Sequence, residues 1–225
     1  MTEGLTTMGW DARWDAEWAT AEGDLVEPAA QRARVTAQHR DRFMIYSEAG
    51  SLQARVPGSK SAILKPVTGD WVVFIPGPEP SDPCSIISVL PRRSAVRRGS
   101  AGDSQSEQVL AANVDRLWIV QSLETPPNLR SLERYLAVAW ESGATPEIVM
   151  TKSDLAQELE VARELVKGVA FRVPLWTVGV KDLASIETLR ASLEPGRTVA
   201  LLGPSGAGKS TLINHLADSE MARIG

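Results

Sequence analysis

Residues Gly203-Pro204-Ser205-Gly206-Ala207-Gly208-Lys209-Ser210-Thr211 fit the phosphate-binding loop G-x-x-x-x-G-K-[ST]. No other stretch restricts the fold as much, because this loop works only between a buried strand and a helix. The apolar run Thr198-Val199-Ala200-Leu201-Leu202 supplies the strand, and Leu212, Ile213 and Leu216 follow at helical spacing. Glycines let the backbone bend until successive N–H groups point at phosphate oxygens, and the helix N-terminus adds partial positive charge. On this reading Gly203, Ser205, Gly206, Ala207, Gly208, Lys209, Ser210 and Thr211 form a phosphate cradle. Lys209 reaches the outer phosphates and is the one residue assigned a catalytic part, and the Ser210 hydroxyl is the metal ligand, for Mg²⁺. The competing reading is a glycine-rich turn that caps an ordinary helix.

A second motif ends another apolar strand. Thr151-Lys152-Ser153-Asp154 follows Glu147-Ile148-Val149-Met150 and approximates the guanine-reading pattern [NT]-K-x-D. Guanine presents N1–H and an exocyclic amine side by side, and one carboxylate, that of Asp154, accepts from both. Adenine lacks that pair and would leave the carboxylate unpaired. The Lys152 stem can lie across the flat base while its ammonium stays hydrated. Two rivals remain: Ser153 or Asp154 caps a helix from Leu155 onward, or Asp154 serves Mg²⁺ as in phosphate-loop ATPases. A phosphate loop in the same sheet favours the base reader. Thr177-Val178-Gly179, after a further strand, is the place from which a backbone N–H would support the guanine oxygen.

From Ala111 the pattern alternates strand and helix: strands at 116–120, 147–150, 172–177 and 198–202, helices at 129–141, 155–166 and 183–193. Alternation of this kind predicts a mostly parallel sheet with helices on both faces and ligands beyond the carboxyl ends of its strands. Between Arg32 and Leu90 the pattern is instead five short strands, Ala33–Gln38, Phe43–Glu48, Leu52–Val56, Asp70–Ile75 and Ser85–Leu90. They suit a five-stranded oligonucleotide-binding barrel, or a small barrel without a ligand. Ahead of them Trp10, Trp14 and Trp18 share one helical face, either packed on the body of the protein or stacked on RNA bases. Pro91-Arg92-Arg93-Ser94-Ala95-Val96-Arg97-Arg98 leaves the barrel as a phosphate clamp or a solvated linker. The polar stretch Gly99–Glu107 is expected to be mobile and to hold the domain boundary, so residues 1–98 form the helix and barrel and residues 99–225 the nucleotide domain.

The chain has 225 residues and net charge −4, so nucleic-acid affinity requires a local basic patch. A single cysteine, Cys84, excludes an intrachain disulfide framework and a multi-cysteine metal site. No apolar run is long enough to span a membrane and no signal-peptide core opens the chain, so a cytoplasmic, monomeric protein is expected.

Barrel, base reader, then phosphate loop: this order resembles the ribosome small-subunit-dependent GTPase A family, circularly permuted GTPases with an oligonucleotide-binding barrel in front. Pro91-Arg92-Arg93-Ser94, Glu107-Gln108-Val109-Leu110-Ala111-Ala112-Asn113-Val114-Asp115 and Gly208-Lys209-Ser210-Thr211-Leu212-Ile213-Asn214 carry the resemblance. Permutation leaves such a sheet intact, because strands and site do not depend on where the termini lie. The resemblance implies binding of GTP and GDP, Mg²⁺-dependent hydrolysis stimulated by the small ribosomal subunit and its rRNA, and a role in late maturation of that subunit. Outside the resemblance, a phosphate-loop ATPase or kinase and a non-enzymatic RNA-binding module stay open. Thr151 stands where the family usually has asparagine. The family's switch threonine, Asp-x-Pro-Gly segment and C-terminal zinc-binding domain, the only place for Zn²⁺, are expected beyond Gly225. The chain by itself is therefore expected not to hydrolyse GTP.

Overall fold

A computed structural model describes residues 3–24, 27–58, 64–98 and 108–217. The chain divides into two compact units, Met1–Val114 with Pro195–Thr198, and Asp115–Glu194 with Val199–Gly225. The segment 99–107, where the sequence places a mobile boundary, lies outside the described residues.

In the first unit, β1 (Gln31–His39), β2 (Arg42–Ser47), β3 (Gly50–Arg55), β4 (Trp71–Ile75) and β5 (Cys84–Val89) close into a barrel of order β1-β2-β3-β5-β4. β3 and β5 pair in parallel, the remaining neighbours antiparallel. Alternate residues point inward, so Phe43 and Ile45 of β2 meet Ala33, Val35, Val72, Phe74 and Ile86 in one core. Irregular pairing between Val35 and Ala37 and between Val73 and Phe74 marks bulges, which increase bend and twist where a sheet must close. The strands and their closure are those expected for an oligonucleotide-binding barrel.

The tryptophans pack as the first of the two readings requires, with one difference. Before the barrel lie α1 (Glu3–Thr7) and α2 (Ala12–Asp24). The Asp11 carboxylate accepts from the N–H groups of Arg13 and Trp14, at 3.0 and 3.1 Å, so α2 starts after Asp11. Trp10 therefore precedes the helix and does not share a helical stripe with Trp14 and Trp18. It is buried all the same: Trp10, Trp14 and Trp71 join Leu5 and Leu90 in a second cluster, with Trp10 edge-on to Trp71 at 4.7 Å.

The arginine segment is not a linker. Ala95–Arg98 forms β6, antiparallel to β7 (Gln108–Ala112), because Ala95 and Val96 are buried. Arg92 forks onto both carboxylate oxygens of the fully buried Asp70, at 2.8 and 2.7 Å. Arg93 pairs with Asp11 at 2.6 Å and lies 4.0 Å over the Trp14 ring. Both are taken up inside the unit, while Arg97 and Arg98 stay exposed on β6.

In the second unit β8 (Arg116–Ser122), β9 (Thr145–Thr151), β10 (Leu175–Thr177) and β11 (Val199–Leu202) form a fully parallel sheet of order β10-β9-β8-β11. α3 (Leu129–Ser142) packs on β8 and β9 and against α4 (Leu159–Val169). The other face is covered by α5 (Leu183–Ala191) and α6 (Lys209–Leu216), which bury Ile186, Leu189 and Leu212 on Trp118 and Val149. The helix expected from Leu155 does not begin there. Ser153–Leu155 is a single 3₁₀ turn, Ala156 is extended at φ −68° and ψ 127°, and α4 starts at Leu159. The strand expected from Arg172 likewise begins only at Leu175, because Arg172 is left-handed with φ 65°. No helix among the described residues is long and apolar enough to cross a membrane.

Candidate nucleotide-binding site

The loop from Gly203 to Gly208 joins β11 to α6 at the carboxyl end of the sheet. Two of its glycines are required by geometry. A Cβ on Gly203 would lie 2.4 Å from the carbonyl oxygen of Val120 on the adjacent strand. Gly208 caps α6 at φ 91°, a conformation that costs side chains about 1 kcal/mol or more. The first N–H groups of α6 thus face the loop, with the helix dipole behind them. Lys209 folds over the loop, its Nζ donating to the carbonyls of Gly203 and Pro204, both at 2.8 Å. Ser210 and Thr211 occupy the first turn of α6.

Thr151, the last residue of β9, points at this loop. Its buried hydroxyl donates to the carbonyl of Ala207 at 2.6 Å, which ties the end of β9 to the loop after β11. Lys152 follows in the left-handed region at φ 56° and ψ 38°, unusual for a residue with a side chain. Ser153 N–H donates to the carbonyl of Val178 at 3.2 Å, and Leu155 N–H to that of Lys152 at 3.0 Å. These bonds fix the turn that carries Asp154. No side chain caps this turn, and the residue that precedes α4 is Glu158, so Asp154 is not a helix cap.

Beside that turn lies a cavity of about 200 Å³. Lys152 and Asp154 line it, with Thr151 and Gly208 between it and the phosphate loop, and Leu155, Val178, Val180, Ile186 and Leu212 make its walls mainly apolar. Such a slot suits a flat heterocycle whose polar edge meets one carboxylate. Gly179 lies so close to the turn that a Cβ there would sit 2.9 Å from Asp154 Oδ1 and 2.7 Å from Ser153 Oγ. Ser210, the expected metal ligand, does not line this cavity.

Of the residues read from sequence, Thr151, Lys152, Asp154, Val178, Gly208 and Thr211 surround this one cavity. Gly203, Ser205, Gly206, Ala207, Lys209 and Ser210 make up the adjoining loop and helix start. Thr177 is elsewhere: its hydroxyl accepts from Arg163 of α4 at 2.8 Å. Val178 N–H is used by the sheet, donating to Met150 at 2.8 Å, and Gly179 N–H donates to the Ser185 hydroxyl at 3.4 Å. Sequence reading missed Leu155, Val180, Ile186, Leu212 and His215 in the lining, and missed Glu124, whose carboxylate pairs with the Lys152 ammonium. Following the rule that residues just past a parallel strand's end face the ligand would have found Val180. No short motif marks Glu124.

The model of the family described as RsgA GTPase matches residues 89–225. The "Small ribosomal subunit biogenesis GTPase RsgA" of Methanosarcina acetivorans is 37% identical over 92% of this chain and 54% of its own length. The "Small ribosomal subunit biogenesis GTPase RsgA 2" of Lactiplantibacillus plantarum is 34% identical over 98% of this chain and 62% of its own. The chain therefore spans less than two thirds of the curated relatives it matches. The crystal structure of YjeQ from Thermotoga maritima superposes with a TM-score of 0.66 at 25% identity, over 83% of this chain and 65% of that one. YloQ, whose crystal structure is described as a circularly permuted GTPase, superposes at 0.61 and 18% identity, covering 84% and 65%, a likeness of fold alone. With its five-stranded barrel, its parallel sheet and a family model that covers residues 89–225, this chain belongs to the RsgA GTPase family.

Proposed function

We propose that this chain binds GTP and GDP and, within its whole protein, hydrolyses GTP to GDP and phosphate in the service of small-ribosomal-subunit maturation. The observation that carries the proposal is the Thr151–Ala207 hydrogen bond, which joins the strand end beside the Asp154-lined cavity to the glycine-rich loop. Asp154 accepts from guanine N1–H and the exocyclic amine, and Lys152 covers the base. Val178 and Gly179 line the cavity, and the backbone N–H of this segment is the one we assign to the base oxygen. Backbone N–H groups from Ser205 to Thr211 cradle the phosphates. Lys209 moves from the loop carbonyls to the outer phosphates and offsets their charge.

Ser210 suits Mg²⁺, which keeps most of its waters and takes only one or two protein oxygens besides phosphate. A lone hydroxyl beside the phosphate cradle fits that habit, and among the described residues no cluster of three or more His, Cys, Asp or Glu offers another cation site. When bound, the ion would screen charge on the phosphates during their transfer. The names of the relatives support a partner in the small ribosomal subunit. Residues 1–98 are the part we assign to rRNA, and residues 99–225 the part we assign to nucleotide.

The deciding experiment is Asp154→Asn titrated with GTP, xanthosine triphosphate and ATP. Xanthine replaces the exocyclic amine by a carbonyl. Asparagine can donate to that carbonyl and still accept from N1–H. Two charge-assisted bonds at about 1.5–3 kcal/mol each set an upper range of roughly 10²–10⁴-fold for the loss of GTP affinity. Water at the exposed Asp154 pulls the expected loss to the lower end. Affinity for xanthosine triphosphate should rise. A uniform loss of all nucleotides would assign Asp154 to the metal instead, and no loss at all would remove it from the site.

A further inference from the structure

We propose that Glu124 is a positioning residue for guanine recognition, holding the Lys152 side chain along the base cavity before nucleotide arrives. The inference rests on the guanine-nucleotide reading above and adds a residue that reading does not require.

Glu124 follows β8, next to the strand that ends in the base reader. Its backbone is pinned from both sides. Leu123 N–H donates to the carbonyl of Thr151, the residue before Lys152, at 2.9 Å, and Glu124 N–H donates to the Ser122 hydroxyl at 3.2 Å. Thr125-Pro126-Pro127 then limits the chain to extended conformations until Asn128 caps α3. From this frame the carboxylate meets the Lys152 ammonium. Lys152 is itself fixed at its backbone, left-handed and braced by the turn that carries Asp154. A lysine anchored at both ends presents its stem as a wall of the cavity instead of sampling many rotamers.

The ion pair contributes little to folding, since Glu124 is 57% exposed and Lys152 31%. Its effect falls on binding. A free lysine would have to be immobilised over the base when nucleotide arrives; one already held loses less entropy. Simple electrostatics predicts the opposite sign, because removing a carboxylate near an anionic ligand should tighten binding. The two accounts therefore separate cleanly.

The test is a double-mutant cycle on the intact chain, with GDP and Mg²⁺ followed by calorimetry, using wild type, Glu124→Gln, Lys152→Met and the double variant. Glu124→Gln should raise the Kd for GDP about three- to tenfold, the scale of one immobilised side chain. In the Lys152→Met background the same change should have no effect, since methionine keeps the stem and has no ammonium to hold. Glu124→Asp should fall between wild type and Glu124→Gln. Unchanged or tighter GDP binding by Glu124→Gln, or an equal loss in the Lys152→Met background, overturns the proposal. Asp154→Asn run alongside keeps the two failures apart. A switch to xanthosine without Glu124–Lys152 coupling sinks only the role of Glu124. Coupling without the switch sinks the guanine reading and leaves Glu124 positioning Lys152 for another base.

Discussion

Thr151 shows how one hydroxyl can connect two halves of the proposed binding site. It is buried, and it satisfies the carbonyl of Ala207 inside the phosphate loop. Thr151→Val keeps the shape and removes the donor, leaving a buried acceptor unpaired at a cost of about 1–3 kcal/mol. The loop loses its tie to β9, so GDP affinity should fall about tenfold, equivalent to about 1.4 kcal/mol. Thr151→Ser should recover most of it. Wild-type GDP titration by the valine variant would show that the loop holds its shape without this bond.

At the scale of the element, the start of α2 depends on charge. Asp11 accepts from two backbone N–H groups and from the Arg93 guanidinium. The Arg93 hydrogen bond, helped by the backbone bonds, holds its carboxyl at about 2, against an ordinary 3.8. Since the folded group is the stronger acid, its stabilising contribution is complete above the unfolded value near 3.8. It is lost as pH falls toward about 2. The side chain is half exposed, so solvent screens much of that contribution. An NMR titration should find the Asp11 midpoint low, and Arg93→Gln should move it upward while the backbone bonds keep part of the shift. An ordinary midpoint in the wild type would show that the pair does not persist in solution.

For the molecule as a whole, a net charge of −4 means that any RNA contact must come from a local patch. Four arginines between Arg92 and Arg98 offer one by sequence, but Arg92 and Arg93 are taken by Asp70 and Asp11. Arg97 and Arg98 of β6 are exposed. Replacing both with alanine should weaken binding to purified small subunits and lower the salt dependence by up to about two counterion units. Equal salt slopes for the variant and the wild type would place the RNA-binding surface elsewhere.

The strand-and-helix alternation, the five barrel strands and both nucleotide motifs were legible in the sequence, because each is a local pattern. Alternation follows from which face is buried, and a glycine-rich loop from the backbone angles it needs. Even the permuted order was legible, since motif order is a property of the chain. What lay beyond reach is pairing between residues distant in sequence. Nothing near Arg92 indicates that Asp70 will neutralise it, and nothing near Lys152 points to Glu124. Helical spacing put Trp10 on a stripe with Trp14, but the Asp11 cap starts the helix at Ala12, two residues too late for that. Local pattern determined which elements form and which motifs they carry. Only the packed structure decided which charges meet, because that depends on distances the chain sets after it has folded.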